Sequence, residues 1–201
     1  MKKQTLFRTV GLSYLVIFFA AIFANFFALE AMKASPLETV QNEGLMVRLG
    51  IIAFLITVVF DVVVAWALNE IYKKNVLNTL STYFRLTHAV IMGAAIFALP
   101  FTLAATTDSQ ILSQIQAFDT LWLIGLFFFG FHLILLGKIM DGPKIIAGLL
   151  MLAGLMYIFD TCAHFVYADY ELHADLFLAL VAVPSILGEM SFAIWMLRKK
   201  R

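Results

Sequence analysis

The sequence predicts an all-α membrane protein: a bundle of six transmembrane helices with both termini in the cytoplasm. Hydrophobic residues make up 63% of the 201-residue chain and charged residues only 13%, whereas a soluble domain is usually about 45–50% apolar. Six apolar segments of about 21–26 residues follow one another, and a helix needs about 20 residues to cross the hydrocarbon core. No connecting segment is long enough to hold a soluble domain. We therefore expect a single integral membrane domain over residues 1–201.

The first segment, about 9–29, follows Lys2 and Lys3 and is longer than the apolar core of a signal peptide, which has roughly 7–15 residues. We expect this segment to remain as the first helix. The other five predicted helices cover about 48–70, 79–104, 117–138, 144–167 and 174–197. Turn residues and charges separate the segments, among them Pro36, Lys73-Lys74-Asn75, Thr106-Thr107-Asp108-Ser109 and Asp141-Gly142-Pro143. Continuous runs such as IGLFFFGFHLILL exclude the residue-by-residue alternation of a membrane β-barrel.

The distribution of positive charge predicts the orientation. Eleven of the fourteen lysines and arginines lie at the two termini or in the second and fourth loops. Lysine and arginine are enriched in cytoplasmic loops of membrane proteins. The loops on the other side are mainly acidic and contain Glu38, Glu43, Asp108, Asp169, Glu171 and Asp175. We expect both termini to be cytoplasmic in a multi-pass protein of the bacterial inner membrane.

Charge and cysteine content also limit the partners. The net charge is +1, and the longest basic block is the terminal Arg198-Lys199-Lys200-Arg201. Such a tail fits an anchor to the inner leaflet better than a nucleic-acid contact. The expected partners are therefore the lipid bilayer and a small-molecule ligand, with no nucleic acid. A lone Cys162 excludes an internal disulfide, and the sequence makes no prediction of the oligomeric state.

A few ionisable residues lie inside the apolar segments, where each costs about 2.5–3.5 kcal/mol at the centre of a spanning helix. Depth and helix face place five of them in one layer of the bundle, because residues three and four apart share a face. This predicted cluster consists of Asp61, Arg85, His132 and Glu189, with His88 as a neighbour. Asp160 and His164 form a second, outer pair on the fifth helix.

The cluster favours a binding or transport site for a small solute or a proton. Arg85 is always protonated and is expected to pair with Asp61 or Glu189. The remaining carboxylate would take up a proton or share the guanidinium, and His132 would tune or relay the proton. The alternative from another class is a structural or regulatory membrane subunit, in which these charges only clasp the helices together.

The runner-up to the binding or transport hypothesis is an intramembrane metal- or haem-dependent enzyme. The four-residue spacing of Asp160 and His164 presents two metal ligands on one face, and His132, His173 or Glu171 could supply a third. A haem would need two axial ligands at one depth, for which His88 and His132 are the candidates. The sequence has no GxSxG, P-loop, GxGxxG, HExxH or CxxC motif. No metal ligand set is assigned, no cofactor is predicted, and a non-enzymatic role is favoured.

Several motifs recur in a fixed order along the chain. They are RLG from Arg48, FDVVVAWAL from Phe60, FRL from Phe84, GLFFFGFHLILLG from Gly125, YIFD ending at Asp160 and GEMSFAIWML from Gly188. In this order the chain resembles a bacterial membrane family known as domain-of-unknown-function family 4386. The resemblance implies a multi-helix inner-membrane protein without an established activity. It also implies that Asp61, Arg85, His132, Asp160 and Glu189 lie in the family's recurring motifs. His88, His164 and His173 have no counterpart there, which weighs against the haem and metal hypotheses.

Overall fold

The computed structural model describes residues 3–199, and within that range the chain is helical and contains no β-strand. Six helices are long and apolar enough to cross a membrane. They are α1 (Lys3–Ala34), α2 (Gly44–Ile71), α3 (Val76–Ala104), α4 (Asp108–Ile139), α5 (Lys144–Val166) and α6 (Tyr170–Arg198). The predicted all-α, six-helix fold is confirmed.

The helices extend further along the chain than the apolar segments from which they were predicted. The stretch from Lys33 to Glu43 is not an irregular loop, since a short helix forms over Pro36–Asn42; proline is favoured in the first turn of a helix. The predicted break around Thr107 is short as well, because α4 begins at Asp108. There the Thr107 hydroxyl caps the helix by accepting a hydrogen bond from the Gln110 N–H at 3.3 Å.

The six helices form a closed ring. Each packs against its neighbours in sequence, and α6 packs against α1. Glycines allow the closest approaches, as is common between membrane helices. A Cβ atom at Gly130 of α4 would lie 2.6 Å from the Gly154 carbonyl oxygen of α5, and one at Gly11 of α1 would lie 2.8 Å from the Ala193 carbonyl oxygen of α6.

Both described chain ends lie at the same end of the ring, which we call the basic end. There the Lys199 ammonium lies 5.0 Å from the centre of the Phe7 ring, and the Tyr72 hydroxyl contacts Asp141 of the α4–α5 loop at 3.4 Å. At the opposite, acidic end, the Leu37 N–H donates to Asp108 at 2.9 Å. The side of the membrane that each end faces stays a prediction.

Two hydrophobic clusters fill the ring, one above the other. The basic-end cluster draws on α1, α2, α4, α5 and α6 and includes Val10, Leu68, Leu136, Leu150 and Met196. The acidic-end cluster draws on α1 to α4 and on the short Pro36–Asn42 helix, but not on α5 or α6, and it includes Leu29, Phe54, Leu99 and Phe118. The buried residues of α5 and α6 that lie nearer the acidic end, Asp160, Thr161, Phe177 and Val181, belong to neither cluster. Between the two clusters lies a layer of buried polar side chains.

Candidate functional site

Arg85 of α3 is the centre of the polar layer and is 1% exposed. One of its terminal nitrogens, Nη2, donates to Asp61 Oδ1 of α2 at 2.5 Å. The other, Nη1, donates to the Tyr14 hydroxyl of α1 at 2.7 Å and contacts His132 Nε2 of α4 at 3.1 Å. Of the two predicted partners, Asp61 forms the ion pair. The guanidinium is not bidentate on one carboxylate but divides its donors among three helices.

Two aromatic rings flank the guanidinium. Its carbon lies 4.9 Å from the centre of the Tyr14 ring and 5.1 Å from the centre of the Phe129 ring. A cation over a desolvated aromatic face is stabilised by up to about 2 kcal/mol. Arg85 thus contacts α1, α2 and α4, and its buried Nε has no hydrogen-bond partner among residues 3–199.

The contacts of His132 define its tautomer. Arginine can only donate, so His132 Nε2 accepts from Arg85 at 3.1 Å. The ring proton is therefore on Nδ1, which lies 3.0 Å from the Ser81 carbonyl oxygen and donates to it. Both ring nitrogens are occupied by fixed partners. His132 therefore helps to position the guanidinium, and its predicted role in tuning or relaying a proton stays a prediction.

His88 lies on the other side of Asp61. Its Nε2 is 3.5 Å from Asp61 Oδ2, and its Nδ1 is 3.0 Å from the Gly125 carbonyl oxygen. The four ring nitrogens of His88 and His132 thus all face partners within the protein. Neither histidine has a free nitrogen for an axial haem ligand, and the Phe129 ring lies 4.7 Å from the His88 ring and 5.7 Å from the His132 ring. The structure therefore does not support the haem hypothesis.

Glu189 of α6 belongs to the same layer but is not part of the contact network. It is half-buried, and its carboxylate lies within electrostatic range of Arg85 and Asp61 and of Tyr14 and Tyr157. Within residues 3–199, no hydrogen bond or ion pair joins this carboxylate to another side chain. The sequence placed Glu189 in the correct layer, but the structure gives it no partner.

Tyr170 contacts both residues of the predicted outer pair, Asp160 and His164. Asp160 is buried and accepts a hydrogen bond from the Tyr170 hydroxyl at 2.7 Å. The His164 ring meets the edge of the Tyr170 ring at a centroid distance of 4.7 Å. His173 points elsewhere, with Nδ1 at 3.2 Å from the Asp169 carbonyl oxygen. In the described part of the chain, no group of three His, Cys, Asp or Glu side chains could hold a metal ion. The metalloenzyme hypothesis therefore lacks its third ligand, and His132 lies in the other layer.

Comparison with known proteins identifies the family of this chain. The family model described as "Domain of unknown function (DUF4386)" matches residues 9–199. The chain belongs to this family. An uncharacterized protein of Archaeoglobus fulgidus is 27% identical over 159 residues, which cover 76% of this chain and 84% of the relative. No solved structure matches the chain.

Two residues that contact Arg85 or His132, namely Tyr14 and Ser81, are absent from the site predicted from the sequence. Tyr14 follows Ser13 in the apolar segment of α1, where the sequence alone does not distinguish a site residue from a packed aromatic side chain. Ser81 gave a clearer signal, because it lies one helical turn before Arg85 on the same face of α3. Its hydroxyl is 2.9 Å from His132 Nδ1. Both residues are buried and belong to the polar layer.

Proposed function

We propose that this protein binds a proton or a small cation at Glu189, inside the membrane, and carries it across. The observation that supports the proposal is the unpaired Glu189 carboxylate beside an ion pair that is already complete. A carboxylate within a membrane helix is costly and usually faces a partner or a functional pathway. The contacts of Arg85 account for Asp61, but they leave the charge of Glu189 unexplained.

The charge balance indicates what the site would take. Arg85 and Asp61 neutralise each other at 2.5 Å, and His132 is neutral in the tautomer described above. With His88 also neutral, an ionised Glu189 gives the layer an excess negative charge, which a proton on His88, beside Asp61, would cancel. A proton or a small cation removes this excess, whereas an anionic solute would increase it. The class of substrate that this charge favours is cationic.

The packing of α1 against α6 supports an access route. These helices touch closely at Gly11 and Ala193. One helical turn further toward the acidic end, α1 presents Tyr14 and α6 presents Glu189. Beyond that turn, from Leu15 to Phe23, α1 has no buried residue. The seam between the two helices is thus closed on the basic-end side of Glu189 and loosely packed on the other side.

Arg85 and Asp61 have a different role in this proposal. Their pair joins α2 to α3, while further contacts of Arg85 reach α1 and α4. This is the helix clasp that the sequence offered as an alternative. In our proposal the clasp and the exchangeable carboxylate coexist: the clasp fixes the geometry of the layer, and Glu189 binds the ion.

Flux measurements on reconstituted protein test the proposal. Purified wild-type protein in liposomes is expected to dissipate an imposed proton, sodium or potassium gradient faster than protein-free vesicles do. Glu189→Gln keeps the shape of the side chain but removes its charge, so its flux should fall to the protein-free rate. The matched control is Glu43→Gln, because Glu43 is exposed at the acidic end and should leave the flux unchanged.

Thermal unfolding in detergent separates this function from a purely structural role. Glu189→Gln should unfold at the wild-type temperature or above it, because no hydrogen bond is lost. Wild-type flux no faster than that of empty vesicles for all three ions, or unchanged flux in Glu189→Gln, would overturn the proposal.

A further inference from the structure

A second polar site lies at the basic end, away from the central layer. A cavity of about 890 Å³ opens there. It is lined by residues 70–76 at the α2–α3 turn, by Lys3 and Leu6 of α1, and by Asp141 of the α4–α5 loop. The turn that forms most of this wall is only four residues long, so the cavity lies directly beside the ends of two spanning helices.

Three lysines line the cavity: Lys3, Lys73 and Lys74. Lys73 has only a distant carboxylate partner, Glu70 at 3.9 Å, and within residues 3–199 Lys74 forms no ion pair. The ammonium of Lys3 lies 5.9 Å from the centre of the Phe7 ring. Most of the positive charge in the lining is therefore available to a ligand.

The second carboxylate in the lining, Asp141, is already neutralised. Lys199 contacts its Oδ1 at 2.5 Å, and the Tyr72 hydroxyl contacts the same oxygen at 3.4 Å. Partial burial acts to raise the pKa of Asp141, but the hydrogen bond and charge of Lys199 outweigh it and hold that pKa below its ordinary value. Asp141 is thus ionised and paired at neutral pH, and it does not compete for the three lysines.

The surroundings of the cavity combine charge with apolar surface. Leu6 and Ile71 contribute apolar walls, and at its rim the Val76 side chain is 87% exposed. Basic pockets between transmembrane helices commonly bind the headgroups of anionic lipids. We propose that this cavity binds a phosphate-bearing headgroup, supplied by an anionic phospholipid of the adjoining leaflet. The lysines would contact the phosphate, and the acyl chains would lie along Val76 and the outer faces of α2 and α3.

Lipid-dependent thermal stability, measured on the purified full-length protein in detergent, tests this inference. Phosphatidylglycerol should raise the unfolding temperature of the wild type, whereas zwitterionic phosphatidylcholine should not. The double variant Lys73→Gln/Lys74→Gln should lose more than half of the rise. The matched control, Lys138→Gln/Lys144→Gln, removes two lysines from the same end but outside the cavity, and it should keep the rise.

The remaining arms of the experiment identify the source of the phosphate. Inorganic phosphate and glycerol phosphate should not reproduce the effect; a lysine-dependent rise with either would replace the lipid by a soluble anion. An equal loss in both double variants, or an equal rise with phosphatidylcholine, would overturn the site. If the first double variant does not fold, Lys74→Gln and native mass spectrometry of bound phosphatidylglycerol give the same comparison.

Discussion

A single arginine connects four of the six helices. Arg85 reaches Tyr14, Asp61 and His132 from α3 with three donor contacts between 2.5 and 3.1 Å. In a membrane interior, a buried charge of this kind is tolerated when it is paired and its donors are used. The residue therefore acts as a structural centre, and its removal should affect every helix that it contacts.

Substitution of Arg85 tests this role. Arg85→Leu leaves the buried Asp61 carboxylate without its ion-pair partner, and we expect it to lower the free energy of unfolding by about 3–5 kcal/mol. The double variant Arg85→Leu/Asp61→Leu removes both charges and should recover most of this loss, because a well-packed apolar pair often replaces a buried ion pair without cost. Reversible unfolding in mixed detergent micelles measures both variants.

Arg48→Leu is the matched control for that substitution. Arg48 is exposed near the start of α2, so its replacement should change the free energy of unfolding by less than about 0.5 kcal/mol. A loss for Arg85→Leu as small as the control's, or a double variant less stable than the single one, would contradict the clasp.

The sequence predicted the members of this layer better than their contacts. Depth and face placed Asp61, Arg85, His88 and His132 together, because a buried charge must lie on the face that its helix turns inward. The choice between Asp61 and Glu189 as the partner of Arg85 depended on side-chain distances that no residue pattern encodes. The part played by Tyr14 was hidden for the same reason, since an apolar run gives no sign that one tyrosine accepts a hydrogen bond.

At the scale of the elements, hydropathy predicted all six spanning helices but underestimated how far they extend. Each predicted segment stopped where apolar residues stopped, but a helix continues into the polar region when a cap or a tertiary contact satisfies its end. The first turns of α4 show this effect: Thr107 caps the helix, and Ile111 and Ile115 are buried in the acidic-end cluster. Because hydropathy is averaged over a window of residues, two buried residues within a polar stretch do not raise the average enough to predict that the helix extends there.

The contact between α4 and α5 depends on two glycines, and this gives a prediction at the scale of a helix pair. A Cβ at Gly154 would clash with the Gly130 carbonyl oxygen and would lie 2.9 Å from the Ile134 side chain. Because a backbone oxygen cannot move aside, Gly154→Ala should force the helices apart and cost about 1–3 kcal/mol. Unfolding in mixed micelles measures this cost.

Gly148, on the same helix, is a control with the same chemical change. A Cβ at Gly148 meets no atom within 4 Å, so Gly148→Ala should be neutral or slightly stabilising through the better helix propensity of alanine. Equal stability losses in the two variants would show that alanine acts through α5 itself, and not through its contact with α4.

At the scale of the whole molecule, the polar layer separates two hydrophobic clusters that are built from different sets of helices. All helices except α3 contribute to the basic-end cluster, but α5 and α6 are missing from the acidic-end cluster. Glu189 lies on α6, one of the two helices that are missing from the acidic-end cluster. Arg85 thus joins α1 to α4 directly, whereas α5 and α6 are joined to the ring through the basic-end cluster and the glycine contact between α4 and α5.

The distribution of charge between the two ends of the ring predicts how the molecule sits in the membrane. The basic end carries both ends of the described chain and the two lysine-containing connections, α2–α3 and α4–α5, so it should face the cytoplasm. Single cysteines in a Cys162→Ser background test the orientation. Ser35→Cys and Ser109→Cys at the acidic end should react with a membrane-impermeant maleimide on intact cells. Lys73→Cys and Lys144→Cys at the basic end should react only after permeabilisation.

All four positions are exposed in the structure, so differences in labelling report the side of the membrane. The reverse labelling pattern would invert the topology and place the proposed lipid cavity in the outer leaflet, whereas labelling of one position at each end would contradict the six-helix crossing itself.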